Sequence, residues 1–229
     1  MPATPIIALD VASTDDALAI VDQLGERCRF YKIGNELFTA EGPRVVREVR
    51  ARGCEVFLDL KFHDIPNTVA GGVRNAARLG ARLVTVHATG GATMVRAAVD
   101  AAGESCGVLA VTVLTSLAVQ DVAEAWGRDK STDLTTEVLR LSDLSASAGA
   151  RGVVCSGREA TAVHARFAER LAILVPGVRA VGGSVQDQAR VVTPRDAADA
   201  GARYIVVGRM VTAAADRAAA MDQLLRDLA

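Results

Sequence analysis

The stretch EVFLDLKFHDIPNTVAGGVRNAARLGARLVTVHA, residues 55–88, contains one complete strand–helix repeat and the start of the next. Residues 55–60 are an apolar run of strand character. Residues 67–79 have helical character and stop at Gly80, and residues 83–88 are a second apolar run. One feature does not fit a simple core strand: Asp59 and Lys61 sit two apart at its end, and Asp64 follows in the loop. Charge placed there is costly to desolvate, so it needs a reason.

The same alternation extends in both directions. Apolar runs recur at 5–10, 29–34, 55–60, 83–88, 107–114, 152–156, 171–177 and 204–208. Each reads as a strand buried on both faces, as parallel strands are. Helical segments separate them. Ser13 or Thr14 can cap DDALAIVDQL, and Asp15 and Asp16 suit the positive end of its dipole. Pro43 can open PRVVREVRAR, with Gly53 as a stop, and Gly103 and Gly149 end two further segments. The connection from Ser116 to Asp133 is polar and irregular, and nothing in it has the composition of an interdomain linker. Eight strand–helix repeats in 229 residues predict an α/β fold, a (β/α)₈ TIM barrel forming one domain over residues 1–229. A doubly wound open sheet is the alternative, and eight regular units fit closure better.

Composition excludes several function classes. Half of the residues are hydrophobic, aromatics are 3%, and the net charge is −1 with acids and bases interleaved. Without a basic patch or aromatics to stack on bases, no nucleic-acid partner is expected. Cys28, Cys54, Cys106 and Cys155 show no C-x-x-C pair, which fits reduced thiols. His63, His87 and His164 form no ligand pattern. The first residues, MPATPIIALD, lack the basic and apolar regions of a signal peptide, and the longest apolar runs are too short to span a bilayer. No membrane partner and a cytoplasmic location are expected.

In a barrel of this kind the active site lies at the C-terminal ends of the strands. Those ends carry Asp10, Lys32, Asp59 and Lys61, His87, Thr115, Ser156, Pro176 to Arg179, and Gly208 with Arg209. Any one of them could simply mark where polar residues begin. As a set, charges of both signs converge on one face. Residues two apart on a strand point to the same side, so Asp59 and Lys61 are expected to act together. With Lys32 on the neighbouring strand and Asp64 in the following loop, the charges alternate, which suits proton delivery beside a site that repels negative charge. His63 reads as a loop residue, and His87 as a histidine hydrogen-bonded within the barrel. Gly71 and Gly72 read as a site of close helix packing. Gly208 and Arg209 follow the eighth strand, where barrels often bind phosphate, and PGVR follows the seventh. The long loop of residues 176–194, with Gly182, Gly183 and Ser184 at its tip and Gln188 beyond, could close over a phosphate.

The pattern D-L-K-x-x-D-I-P-x-T over residues 59–68 closely resembles the signature of the orotidine 5′-phosphate decarboxylases in their shorter microbial form. ALD after strand one, KIGNELF, VTVLTS, PGVR…DQARVVTP and VVGRMVT agree in order along essentially the whole chain. The resemblance implies conversion of orotidine 5′-monophosphate to UMP and CO₂ in de novo pyrimidine biosynthesis, with no metal and no organic cofactor. It implies Lys61 as proton donor to C6, Asp59 facing the leaving carboxylate, and Lys32 and Asp64 completing the charged network. Asp64, Ile65 and Thr68 would reach the partner's site in a homodimer. Asp10 would hold ribose hydroxyls, and Thr115 would lie near the pyrimidine. Pro176, Arg179, Gln188, Gly208 and Arg209 would bind on the phosphate side. The tip AVGGSVQ does not match residue by residue, and AAADRAAAMDQ lacks a proline expected near the start of the last helix.

Two rivals remain at this stage. Relatives on the same barrel use Mg²⁺ and carry an acidic residue where strand two here has Lys32, a lysine that would repel the metal. A non-catalytic barrel that binds a sugar phosphate would not need buried carboxylates beside the lysines.

Overall fold

The computed structural model describes residues 3–129, 131, 133–168, 170–179 and 192–229. Eight strands close into one parallel barrel in sequence order: β1 (Thr4–Ala8), β2 (Phe30–Gly34), β3 (Glu55–Phe62), β4 (Leu83–His87), β5 (Gly107–Val111), β6 (Gly152–Val154), β7 (Ala172–Val175) and β8 (Tyr204–Val207). Closure is direct, since Thr4 pairs with Tyr204 and Ile6 with Val206. The closed ladder settles the choice against an open sheet.

The apolar runs are continuous because each strand is covered on both sides. Alternate side chains, including Ile6, Phe30, Phe57, Leu83, Leu109 and Val206, fill the barrel interior. The residues between them, such as Ile7, Tyr31, Val56, Val84 and Ile205, belong to a second core beneath the surrounding helices.

Those helices are α1 (Thr14–Leu24), α2 (Asn35–Glu41), α3 (Pro43–Ala51), α4 (Pro66–Arg78), α5 (Gly91–Ala102), α6 (Val119–Trp126), α7 (Leu134–Ser147), α8 (Gly157–Phe167), α9 (Pro194–Asp199), α10 (Arg209–Thr212) and α11 (Arg217–Leu228). Ser13, not Thr14, caps α1: its Oγ accepts from the Asp16 amide at 3.1 Å. Pro43 stands in the first turn of α3. The proline missing near the start of α11 is replaced by Asp216, whose carboxylate accepts from the Ala219 amide at 2.9 Å.

Three helices were not legible in the sequence: α2, α6 and the four-residue α10, which starts directly after Gly208. α2 is only seven residues long and follows Gly34 without a side-chain cap, so it lacks both period and start signal. α6 lies inside the connection read as irregular. Asp121 reaches back to the Ala118 amide at 2.7 Å, and Val122 and Ala123 are buried beneath it. One short apolar face was enough to fix it against the barrel.

Three of the returns from helix to strand are built alike, each on Gly-Ala-Arg. Gly80, Gly149 and Gly201 all have φ between 84 and 89, a left-handed turn open to glycine at little cost. The next amide bonds back into the helix, Ala81 to Ala76, Ala150 to Ser145 and Ala202 to Ala197, at 3.0–3.1 Å. The arginine amide then starts the new ladder by bonding the preceding strand at Val56, Val108 or Ile173. Among the described residues, no helix is long and apolar enough to cross a membrane.

Candidate active site

A cavity of about 680 Å³ opens at the C-terminal mouth of the barrel. Asp10, Lys32, Asp59, Lys61, Thr115, Pro176, Arg179, Gly208 and Arg209, all expected from the sequence, line it together. Gln188 and the loop tip at Gly182, Gly183 and Ser184 lie outside the described residues. The base of that loop is pinned, with the Arg179 amide bonded to the Val192 carbonyl at 3.0 Å.

The charges stand as two ion pairs. Lys32 lies in the middle of β2, beside Ala8 and Phe57, so its side chain points into the barrel and climbs toward the mouth. Its Nζ donates to Asp10 Oδ1 at 2.7 Å, and the lysine side chain is only 11% exposed. Gly34 makes room for this ammonium: a Cβ on Gly34 would fall 2.8 Å from Lys32 Nζ. On the neighbouring strand Lys61 Nζ donates to Asp59 Oδ2 at 2.8 Å, with Asp59 14% exposed.

Asp59 and Lys61 share a face, but not along a regular strand. β3 pairs with β4 at Leu58–Val84 and next at Phe62–Val86, so β3 bulges by two residues. Within the bulge Lys61 has φ 50, and among the described residues it is the one non-glycine residue with positive φ. A side chain there costs about 1–2 kcal/mol. Thr85, opposite the bulge on β4 and fully buried, meets this cost. Its Oγ1 accepts from the Lys61 amide at 2.9 Å and donates to Asp59 Oδ1 at 2.9 Å, each bond contributing about 1 kcal/mol net.

Sequence reasoning did not single out Thr85, although a hydroxyl pointing inward two residues before His87 was a usable signal. It also missed the apolar wall of the cavity (Phe57, Val111, Val154 and Leu174), and Glu36, Ser116 and Thr212 on the rim. Val111 and Val154 could have been found from the period-two alternation that carries the interior residues.

Asp64, Ile65 and Thr68 do not line this chain's cavity. All three are exposed, Ile65 to 67%, and Asp64 Oδ1 accepts from its neighbour's amide, Ile65 N, at 2.6 Å. Within one chain, therefore, the alternating set is Asp10–Lys32 and Asp59–Lys61, without Asp64.

Ser156, read as a strand end, is buried and caps α8, accepting from the Arg158 amide and bonding Glu159. His87 lies against His63, ring centroids 5.3 Å apart, and makes no ring hydrogen bond among the described residues, contrary to the sequence reading. Burial foremost, then the neighbouring His63 and Lys61, hold its imidazole below the usual histidine range, against the pull of Asp59. No cluster of three or more His, Cys, Asp or Glu side chains able to hold a metal ion occurs among the described residues.

The mouth of the cavity thus gathers Lys32, Lys61, Arg179 and Arg209 around Asp10 and Asp59, a concentration of charge of both signs above an apolar floor. Residues 4–224 match the Orotidine 5′-phosphate decarboxylase / HUMPS family. A relative from Alkalilimnicola ehrlichii, named orotidine 5′-phosphate decarboxylase, is 48% identical over 231 residues, covering 98% of this chain and 95% of its own. One of the same name from Halorhodospira halophila is 44% identical, covering 100% of this chain and 97% of its own. The crystal structure of orotidine 5′-phosphate decarboxylase from Lactobacillus acidophilus aligns with a TM-score of 0.85 at 33% identity, covering 100% of this chain and 99% of that one. With the barrel, the paired lysines and these full-length matches in place, the chain belongs to the orotidine 5′-phosphate decarboxylase family.

Proposed function

We infer that this enzyme removes CO₂ from orotidine 5′-monophosphate to give UMP, with Lys61 delivering the proton to C6. The observation that carries the reading is the Lys61–Asp59 pair at 2.8 Å inside the cavity. The carboxylate leaves a ring carbon with no adjacent carbonyl to accept the electron pair, so the carbanion needs a cation that is also an acid. An ammonium is both, whereas a guanidinium holds its proton too tightly. Asp59 faces the substrate carboxylate, and the repulsion is relieved as CO₂ departs. The apolar wall of Phe57, Val111, Val154 and Leu174 excludes water around the ring, which strengthens the field of the fixed charges. Asp10 holds the ribose hydroxyls, Lys32 bonded to it extends the charged network of Asp59 and Lys61, Thr115 lies by the pyrimidine, and Pro176, Arg179, Gln188, Gly208 and Arg209 grip the phosphate end. Binding energy from that remote phosphate offsets the cost of placing two anions together.

Within the family, names of full-length relatives favour this reading over the Mg²⁺-dependent one, as does Lys32 where a metal site would want an acid. Wild-type protein is expected to consume orotidine 5′-monophosphate in a spectrophotometric assay and to do so in the presence of strong chelator. Lys61→Ala and Lys61→Arg are both expected to lose nearly all turnover. Wild-type turnover by either would remove Lys61 from the donor role.

The exposed Asp64, Ile65 and Thr68 support a homodimer in which each protomer lends these residues to the other's cavity. Mixing Lys61→Ala with Asp64→Ala protomers tests it. Each variant alone is expected to be nearly inactive, and the mixed population is expected to recover about a quarter of wild-type activity, as a two-fold isologous dimer requires. No recovery after exchange would refute shared sites. A cytoplasmic location accords with this biosynthetic role.

A further inference from the structure

Beyond the groups that meet substrate, the geometry assigns a positioning role to Thr85, an inference that rests on the Lys61 proton-donor reading. Thr85 is fully buried on β4, and its hydroxyl bonds both catalytic residues opposite. A threonine hydroxyl has one proton to donate and lone pairs to accept. The proton goes to Asp59 Oδ1, and a lone pair takes the Lys61 amide.

Both bonds have a consequence for alignment. With Oδ1 held by Thr85, the other oxygen of Asp59, Oδ2, is the one turned to Lys61 Nζ. The bond to the Lys61 amide fastens the backbone where φ is 50 and where β3 carries two residues more than β4 between their flanking pairs. A bulge leaves ladder groups unpaired. At this bulge a side chain, not a backbone carbonyl, satisfies the amide of the lysine itself. We propose that Thr85 is the clamp that keeps the bulge, and with it the Asp59–Lys61 alignment, in the reactive geometry.

Thr85→Val keeps the shape and β-branching but removes both bonds, whereas Thr85→Ser keeps the hydroxyl. Because misplacing a reacting group by about 1 Å can cost on the order of 100-fold, Thr85→Val is expected to lower kcat by roughly 10- to 100-fold. KM for orotidine 5′-monophosphate and the calorimetric Kd for UMP are expected to stay within about threefold, since the phosphate and ribose contacts are untouched. Thr85→Ser is expected to restore most of kcat. Should Thr85→Val not fold, Thr85→Ala, which introduces no new group, is read by the same three quantities. The proposal is overturned if the hydroxyl-free variant keeps more than about a third of wild-type kcat, if Ser fails to restore what Val loses, or if UMP binding weakens in parallel with kcat. Lys61→Ala measured alongside separates the layers. An inactive Lys61→Ala with a fully active Thr85→Val sinks the clamp alone. A fully active Lys61→Ala sinks the donor reading, and the clamp with it.

Discussion

Gly34 shows how much of a charged site is set by a residue that bears no charge. Its φ of −96 is open to any residue, so the glycine is not there for backbone freedom. What it provides is space, since a methyl would sit 2.8 Å from Lys32 Nζ and 3.5 Å from Asp10 Oδ1. Gly34→Ala is expected to leave the fold intact, because the ammonium is the free end of a flexible chain and can swing aside. It would do so by breaking the 2.7 Å pair with Asp10. The expected result is a fall in kcat/KM of about tenfold or more with an unchanged thermal midpoint, read by steady-state kinetics and calorimetry. At this scale the sequence was a good guide to the ionised residues and a poor one to their supports. Lys32, Asp59 and Lys61 stand out because charge inside an apolar run has no structural excuse. Thr85 and Gly34 do not, because threonine is at home in any strand and glycine at the end of one. Their roles appear only when residues far apart in the chain are brought within bonding distance.

The elements that matter most are β3 and the helix it feeds. Period-two reasoning placed Asp59 and Lys61 on one face, and they share one, yet through a bulge that no alternation pattern reveals. The paired glycines of α4 illustrate the same limit. Read together as a close-packing site, they separate in space: a Cβ on Gly72 would meet the Phe62 ring at 3.0–3.3 Å, whereas among the described residues nothing outside the local helix backbone lies within 4 Å of one on Gly71. Alanine in a helix interior is favoured over glycine by about 0.5–1 kcal/mol. Gly71→Ala is therefore expected to raise the urea midpoint. Gly72→Ala is expected to lower it by pushing α4 from β3, and adding Phe62→Leu should recover the loss. A rise for Gly72→Ala alone would show that the ring yields freely. α2, α6 and α10 escaped sequence reading for a plainer reason: each is shorter than the window over which a helical period can be counted.

For the molecule as a whole, the sequence was most informative where one rule repeats. Eight apolar runs covered on both sides imply a closed parallel sheet, and the observed ladder closes in chain order. The cysteines give this core a pH limit. Burial pushes the Cys28 and Cys106 thiols up to about 11 from an ordinary 9.0. Above pH 9 the unfolded chain gives up these protons before the folded one does, so their contribution is intact below about 9 and is lost progressively toward 11. Urea midpoints are expected to fall over that window, and less steeply in the Cys28→Ala, Cys106→Ala double variant. Identical slopes would mean that the thiols do not drive the loss. The bulge of β3 has a consequence at the largest scale. Only Phe62 and His63 separate Lys61 from Asp64, the residue inferred to enter the neighbouring protomer's cavity. In the homodimer proposed above, the contact with the neighbour and the aim at the substrate would share one short length of chain. A protomer that parts from its neighbour would keep the Asp59–Lys61 pair but lose Asp64 from its cavity, so specific activity is expected to decline on dilution.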